Sequence, residues 1–260
     1  MDNQLLANAA LGATCFSVAA LPWMAMRGKR ALAGWVVLVA TADVVATLFP
    51  WLFPWLFPWL FPATFPALGN WNWSGKLLDL LAMLGLSALL VHRGMLTRMS
   101  IGLQVRQAPG SGRALLMFLT PYFLTLAALK GLTSAAGEWP SLETLAFEAT
   151  MPGLAEELAY RGVLTALYDL LTRDLPNARV RILGAEMGYG ALTISVAFGL
   201  LHGITFDEQL TLQCSLLTVA FTGIVGLVLA WVRARTGSLV MPVVVHNVTN
   251  LILVAMPGLH

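Results

Sequence analysis

Long apolar stretches separated by short polar connections run along almost the whole chain. A helix that crosses a bilayer needs roughly 20 mostly apolar residues. Eight stretches approach that length, at residues 4–26, 31–49, 76–92, 114–130, 144–172, 189–206, 209–232 and 238–257. The pattern predicts an all-α fold, a polytopic membrane helical bundle of about eight transmembrane helices. Between the second and third stretches, Phe-Pro-Trp-Leu recurs from Phe49 to Pro62, followed by Trp71 and Trp73. Recurrent proline argues against a regular helix there, and the tryptophans favour the headgroup level, as an interfacial collar or a substrate gate. The segment from Gln4 to Met26 has its basic residues, Arg27, Lys29 and Arg30, after the apolar run rather than before it. That order reads as a retained first helix rather than a cleaved signal.

Charge gives the spans a direction. Twelve of the 15 Lys and Arg residues fall in alternate connections: Arg27, Lys29 and Arg30; Arg93, Arg98, Arg106 and Arg113; Arg173, Arg179 and Arg181; Arg233 and Arg235. Lys76 and Lys130 stand at helix ends, and Arg161 lies within a span. The intervening connections carry Glu138, Glu143, Asp207 and Glu208. By the positive-inside rule both termini lie outside the cytoplasm, as an integral, multi-pass protein of a prokaryotic cytoplasmic membrane would arrange them. This places Glu156 and His202 nearer the outer side.

Composition agrees and excludes other classes. The 260 residues are 58% hydrophobic and 11% charged, with a mean hydropathy of +0.77, more apolar surface than one soluble core can hide. A net charge of +2 spread over short loops, without a basic stripe, gives nucleic acid no footprint. The two cysteines, Cys15 and Cys214, sit inside apolar stretches and read as packing residues rather than as a disulfide or a metal site.

Ionisable groups at membrane depth cost about 2.5–3.5 kcal/mol each on insertion scales, so each is a candidate for function. They concentrate in Glu156-Glu157-Leu158-Ala159-Tyr160-Arg161, in Phe198-Gly199-Leu200-Leu201-His202, and in His246-Asn247-Val248-Thr249-Asn250. Glu157 and Arg161 are four apart and share a helix face, which suits an ion pair. Glu156, rotated about 100° away, is left without that partner and is placed to act as a general base towards water. His246 and Asn250 share a face as donors for a developing oxyanion. His202 is available to share a proton with Glu156 or to orient the water, and Phe198 lies one turn before it. Asp43 and Asp79, also in or near spans, receive no role, and Asn247 falls on another face.

In order and spacing, Glu156-Glu157-x-x-x-Arg161, Phe198-x-x-x-His202 and His246-x-x-x-Asn250 resemble the three motifs of the CAAX protease and bacteriocin-processing (CPBP, or Abi) family. Tyr160-Arg161-Gly162 and Arg235-Thr236-Gly237-Ser238-Leu239 with Pro242 resemble its flanking stretches, so that the likeness covers about residues 144–255. It implies a division into N-terminal helices and interfacial loops (1–140) and a catalytic core (141–260). It also implies an intramembrane glutamic protease in which Glu156 activates water with help from His202. His246 and Asn250 would form the oxyanion pocket, with Glu157, Arg161 and Phe198 in support. The implied partners are membrane lipid and a peptide or protein substrate, prenylated CAAX C-termini among them.

Three alternatives stand beside this reading. Glu156, His202 and His246 could supply three ligands to zinc, although the chain lacks the His-Glu-x-x-His helix of many zinc proteases, and no cofactor is the favoured expectation. A non-enzymatic membrane regulator or bacteriocin-immunity protein would use the same polar groups for binding alone. A proton-coupled carrier would use the buried acids, but the two halves of the chain show no internal repeat.

Overall fold

The computed structural model describes residues 3–26, 28–56, 71–133 and 139–255. The expected collar from Phe49 to Pro62 therefore falls partly outside the described residues, which resume at Trp71. The N-terminal part comprises α1 (Asn3–Val18), α2 (Leu21–Met24), α3 (Arg30–Leu56) and α4 (Trp73–His92). Then follow α5 (Arg98–Ile101), α6 (Ser111–Thr133), α7 (Leu142–Glu148), α8 (Met151–Glu156), a π-helical segment (Glu157–Leu164) and α9 (Thr165–Thr172). A hairpin of β1 (Arg179–Ile182) and β2 (Ala185–Gly188) leads to α10 (Tyr189–Gly203). A second hairpin, β3 (Ile204–Phe206) and β4 (Leu212–Cys214), precedes α11 (Leu216–Thr236) and α12 (Val240–Ala255).

The chain is an integral membrane protein with a helical fold, and the helix lengths among the described residues support four of the eight expected crossings. Among the described residues four helices are long and apolar enough to cross a bilayer, at Arg30–Phe49, Trp73–His92, Ser111–Leu132 and Leu216–Thr236. Leu6–Val18, Tyr189–Gly203 and Val240–Val254 are apolar but shorter; at 1.5 Å per residue such helices fall short of a hydrocarbon core of about 30 Å. Proline explains two departures. Pro22 interrupts the first expected span, which stops at Val18 and resumes as the single turn α2. Pro152 cannot donate to the Glu148 carbonyl, so the fifth span breaks at Ala149–Thr150, and Thr150 Oγ1 turns back to Ala146 O at 2.7 Å. Pro50 and Pro54, by contrast, are carried inside α3, against the expectation that the repeat would stop a helix.

The two hairpins are additions to the all-α expectation. In the first, Leu183 and Gly184 both take positive φ, 45° and 78°, as a two-residue turn with the twist of an antiparallel pair requires. In the second, Asp207 Oδ1 accepts the backbone N–H groups of Gln209 (3.0 Å) and Thr211 (2.8 Å). That turn uses residues the apolar pattern had assigned to the start of the seventh span.

The basic connections gather at one end of the bundle. Lys29 pairs with Asp174 at 2.7 Å, Arg233 Nη2 donates to the carbonyls of Met99 and Ser100, and Arg235 donates to Gly110 O. At mid-bundle α10 lies against α11 so closely that a Cβ on Gly199 would meet Val219 O at 2.5 Å, a small-residue contact of the kind that lets membrane helices approach. The largest core cluster, around Phe16, Tyr160, Leu164, Leu167 and Tyr168, joins the N-terminal helices to the π-helical segment. Phe16 and Tyr160 stack at 4.6 Å, and Tyr168 Oη donates to Phe16 O at 2.7 Å.

Candidate active site

The two adjacent glutamates stand where α8 passes into the π-helical segment. π-turns are uncommon and concentrate at functional sites, because the widened turn re-aims successive side chains. All eight residues of this segment are buried, and Thr165 closes it by donating Oγ1 to Tyr160 O at 2.7 Å.

Glu157 is fully buried and its Oε1 receives two donors, Arg161 Nη1 at 3.0 Å and His246 Nδ1 at 2.7 Å. The Glu157–Arg161 pair expected from the spacing is thus present. Because an ionised carboxylate only accepts, the imidazole carries its proton on Nδ1 and turns Nε2 towards Glu156, whose Oε2 lies 3.9 Å away. His202 is fixed in the same manner: its Nδ1 lies 2.8 Å from Phe198 O, an acceptor, so Nε2 is the free nitrogen. Phe198 packs on His202 at 4.3 Å between ring centroids, on His246 at 6.2 Å and beneath the Arg161 guanidinium at 4.4 Å. It holds both imidazoles and the buried cation in register.

Glu156 departs from expectation. It is not left without a partner, since Lys76 Nζ from α4 sits 2.8 Å from its Oε1, with both side chains about 85% buried (16% and 14% exposed). The sequence placed Lys76 at a helix end and gave it no part in the site. Behind it are Asp43 and Asp79, both buried; Asp43 accepts Tyr160 Oη at 3.2 Å, and neither Asp79 oxygen has a hydrogen-bond partner among the described residues. The missed signal was the spacing of Lys76 and Asp79, three apart on one face of an apolar helix. Asn250 donates Nδ2 to Glu148 Oε2 at 2.9 Å, a second acid that sequence reasoning passed over. Asn247, left out of the site, accepts Gly153 N at 2.9 Å and donates to Thr150 O at 3.3 Å. It pins the break between α7 and α8 to α12, and a Cβ at Gly153 would collide with it.

Two cavities meet at these residues. One, of about 290 Å³, is lined by Glu156, His202, His246 and Asn250 together with Lys76 and Glu148. The other, of about 170 Å³, is lined by Asp43, Tyr160 and Asn8 and shares Lys76, Glu156 and His202 with the first. All four residues expected to be catalytic therefore border one space together with Phe198, and Glu157 and Arg161 support it from behind. Among the described residues no three His, Cys, Asp or Glu side chains come together as a metal ligand set, and Lys76 already occupies one oxygen of Glu156.

Residues 138–252 match the family model described as type II CAAX prenyl endopeptidase Rce1-like. The resemblance carried by the three motifs is borne out over this part of the chain, and the family so matched is one of proteases. No curated protein and no solved structure matches the chain.

Proposed function

We propose that this chain is an intramembrane glutamic-type endopeptidase that hydrolyses a peptide bond of a membrane-associated substrate, with prenylated CAAX C-termini as the first class to test. The observation that carries it is the shared cavity: a carboxylate, two imidazoles with their Nδ1 positions fixed and a carboxamide, contributed by α8, α10 and α12, line one space.

In this reading Lys76 and Glu156 divide the carboxylate, Oε1 to the ammonium and Oε2 to the cavity. A water at Oε2 gives its proton to Glu156 as its oxygen attacks the substrate carbonyl carbon. The oxyanion that forms is met by Asn250, and by His246 Nε2 when the ring is an imidazolium, because Nδ1–H is committed to Glu157. His202, with Nε2 free, takes or passes the proton that must reach the leaving amine. Glu157 and Arg161 act as positioning residues, fixing the tautomer and angle of His246 much as a carboxylate fixes the imidazole of a hydrolytic triad. The ion pair on Glu156 equally suits a non-enzymatic binding protein, for which shape and hydrogen bonding suffice.

The test is cleavage of quenched-fluorescent peptides, farnesylated CAAX sequences included, by wild type and Glu156→Gln in detergent. Glu156→Gln keeps the shape and removes the base, so turnover is expected to fall at least about a hundredfold, the lower range for a general base. Turnover retained by that variant sinks the mechanism; binding of an uncleaved peptide by both proteins favours the non-enzymatic reading.

A further inference from the structure

A larger cavity, of about 580 Å³, opens at the basic end of the bundle, away from the carboxylate–imidazole space. The hairpin β1–β2, the connection around α5, and the facing stretches of the π-helical segment, α9 and α11 enclose it. Its volume falls within the range of small-molecule sites.

Arg161 forms part of this lining although its side chain is only 1% exposed. Its Nη1 is committed to Glu157, but Nε and Nη2 have no hydrogen-bond partner among the described residues. Arg233 repeats the situation: Nη2 serves the Met99 and Ser100 carbonyls while its buried Nε has no hydrogen-bond partner among the described residues. Leaving a buried donor unsatisfied is costly, and more so on a cation. Arg173 and Arg179 also border the space, against Asp169 and Glu186. One Asp169 oxygen is already engaged by Gly190 N at 2.9 Å. Arg173 Nε also lies 3.3 Å from Asp174, an acid it shares with Lys29. With Glu157 behind Arg161 counted as well, these four guanidinium groups and Lys29 face the four carboxylates of Glu157, Asp169, Asp174 and Glu186, so one positive charge remains. The rest of the wall is mainly apolar, with Met95, Leu96, Leu170 and Met187, and carries the uncharged polar residues Thr97, Ser100, Gln104 and Thr165.

A single surplus positive charge, unused guanidinium edges and an apolar wall fit a singly charged phosphate group carried on an aliphatic body. Guanidinium forks match phosphate oxygens in geometry and charge. The basic connections place this end at the cytoplasmic headgroup level, where anionic lipids are met. We propose that this cavity is a phosphate-binding site, with Arg161 and Arg233 at its floor and Arg173 and Arg179 at its mouth, and that an anionic phospholipid headgroup fills it. Two residues, Arg161 and Glu157, would stand between the occupant and His246. The binding itself does not depend on the peptidase reading, and its test uses no turnover, so the two can fail separately.

The full chain in neutral detergent is titrated with dioctanoylphosphatidylglycerol, inorganic phosphate or dioctanoylphosphatidylcholine and followed by native mass spectrometry. Expected is one phosphatidylglycerol per chain, with affinity reduced about tenfold or more in Arg173→Gln/Arg179→Gln, the effect of losing charge-assisted contacts. Arg98→Gln/Arg113→Gln, which removes the same charge from this end but outside the cavity, should bind as wild type does. Inorganic phosphate bound as tightly, with the same dependence on Arg173 and Arg179, keeps the phosphate site and assigns it to free phosphate. Absence of stoichiometric binding by either ligand overturns the proposal. So does phosphatidylcholine binding as tightly as phosphatidylglycerol, or equal loss in the two double variants.

Discussion

Replacing Lys76 by methionine keeps most of the stem and deletes the ammonium that faces Glu156 at 2.8 Å. The loss is unequal by design of the cluster. One lysine stands among Glu156, Asp43 and Asp79, all within its electrostatic reach, so removing the cation strands three carboxyl groups, whereas removing one carboxyl still leaves the cation two. Breaking a fully buried pair by deleting one partner costs about 3–5 kcal/mol. Here the two side chains keep 16% and 14% exposure, and solvent screening at that level brings the expectation to about 2–3 kcal/mol. Glu156→Gln, by the same reasoning, should cost under about 1 kcal/mol, and Lys76→Met made in the Glu156→Gln background should cost less than in wild type, with a coupling of at least about 1 kcal/mol. At about 2–4 °C per kcal/mol for chains of this size, Lys76→Met lowers the unfolding midpoint by roughly 4–12 °C. Thermal unfolding in detergent, followed by tryptophan fluorescence, gives all four corners of the cycle. A Lys76→Met midpoint indistinguishable from wild type, or a Glu156→Gln penalty larger than that of Lys76→Met, would refute the charge asymmetry.

Three other outcomes follow from the same contacts. Glu157→Gln leaves the Arg161 guanidinium buried without a counter-charge and is expected to destabilise by about 3–5 kcal/mol, while Glu157→Asp, which keeps the charge, should recover part of that in the same melting assay. Asn247→Leu removes the contacts to Gly153 N and Thr150 O and should cost about 1–3 kcal/mol, with faster hydrogen exchange at residues 149–153 as the local readout. Asp207 is half-buried at the hairpin turn, and its carboxyl is held below the ordinary aspartate value, chiefly by the Thr211 N–H and then by the Gln213 side chain. A depressed folded-state value means that its contribution is present above the unfolded value of about 3.9 and is lost as pH falls through the folded one. Exchange protection across residues 204–214 should therefore hold from pH 7 to about 5 and weaken as the pH is taken below about 4, and Asp207→Asn should abolish that pH dependence.

Legibility in the sequence followed the range of the forces involved. Three motifs are local patterns at helical spacing, so Glu157–Arg161 and Phe198–His202 appear as contacts where i, i+4 geometry puts them. Apolar length located the crossing helices α3, α4, α6 and α11. What it could not give was continuity: Pro152 breaks one expected span whereas Pro50 lies within α3, because a single proline's effect depends on whether neighbouring elements re-satisfy the freed carbonyl. The strands of the hairpin Ile204–Cys214 were assigned to the end of the sixth span and the start of the seventh because they are three residues long and too short to show alternation. Lys76 on Glu156 is a pairing across 80 residues, and no spacing rule reaches that far.

That pairing changes what the matched segment means. Residues 138–252 contain every motif residue, yet the cation on Glu156 and the acids behind it, Asp43 and Asp79, come from α3 and α4, outside the match. Tyr160, within the matched segment, reaches out of it to Asp43, and Phe16 of α1 stacks on the same ring. The contact that holds one oxygen of the carboxylate at the centre of the cavity thus comes from a helix that shares only hydrophobicity with the motif pattern. A core of 141–260 expressed alone would expose Glu156 and Tyr160 to lipid with neither Lys76 nor Asp43 to meet them, and a buried carboxylate without a partner is the more costly state. We predict that the expected division at residues 140/141 does not separate independently folding units: the truncated 141–260 segment should fail to give a cooperative melt, and adding residues 1–140 as a separate chain should restore one.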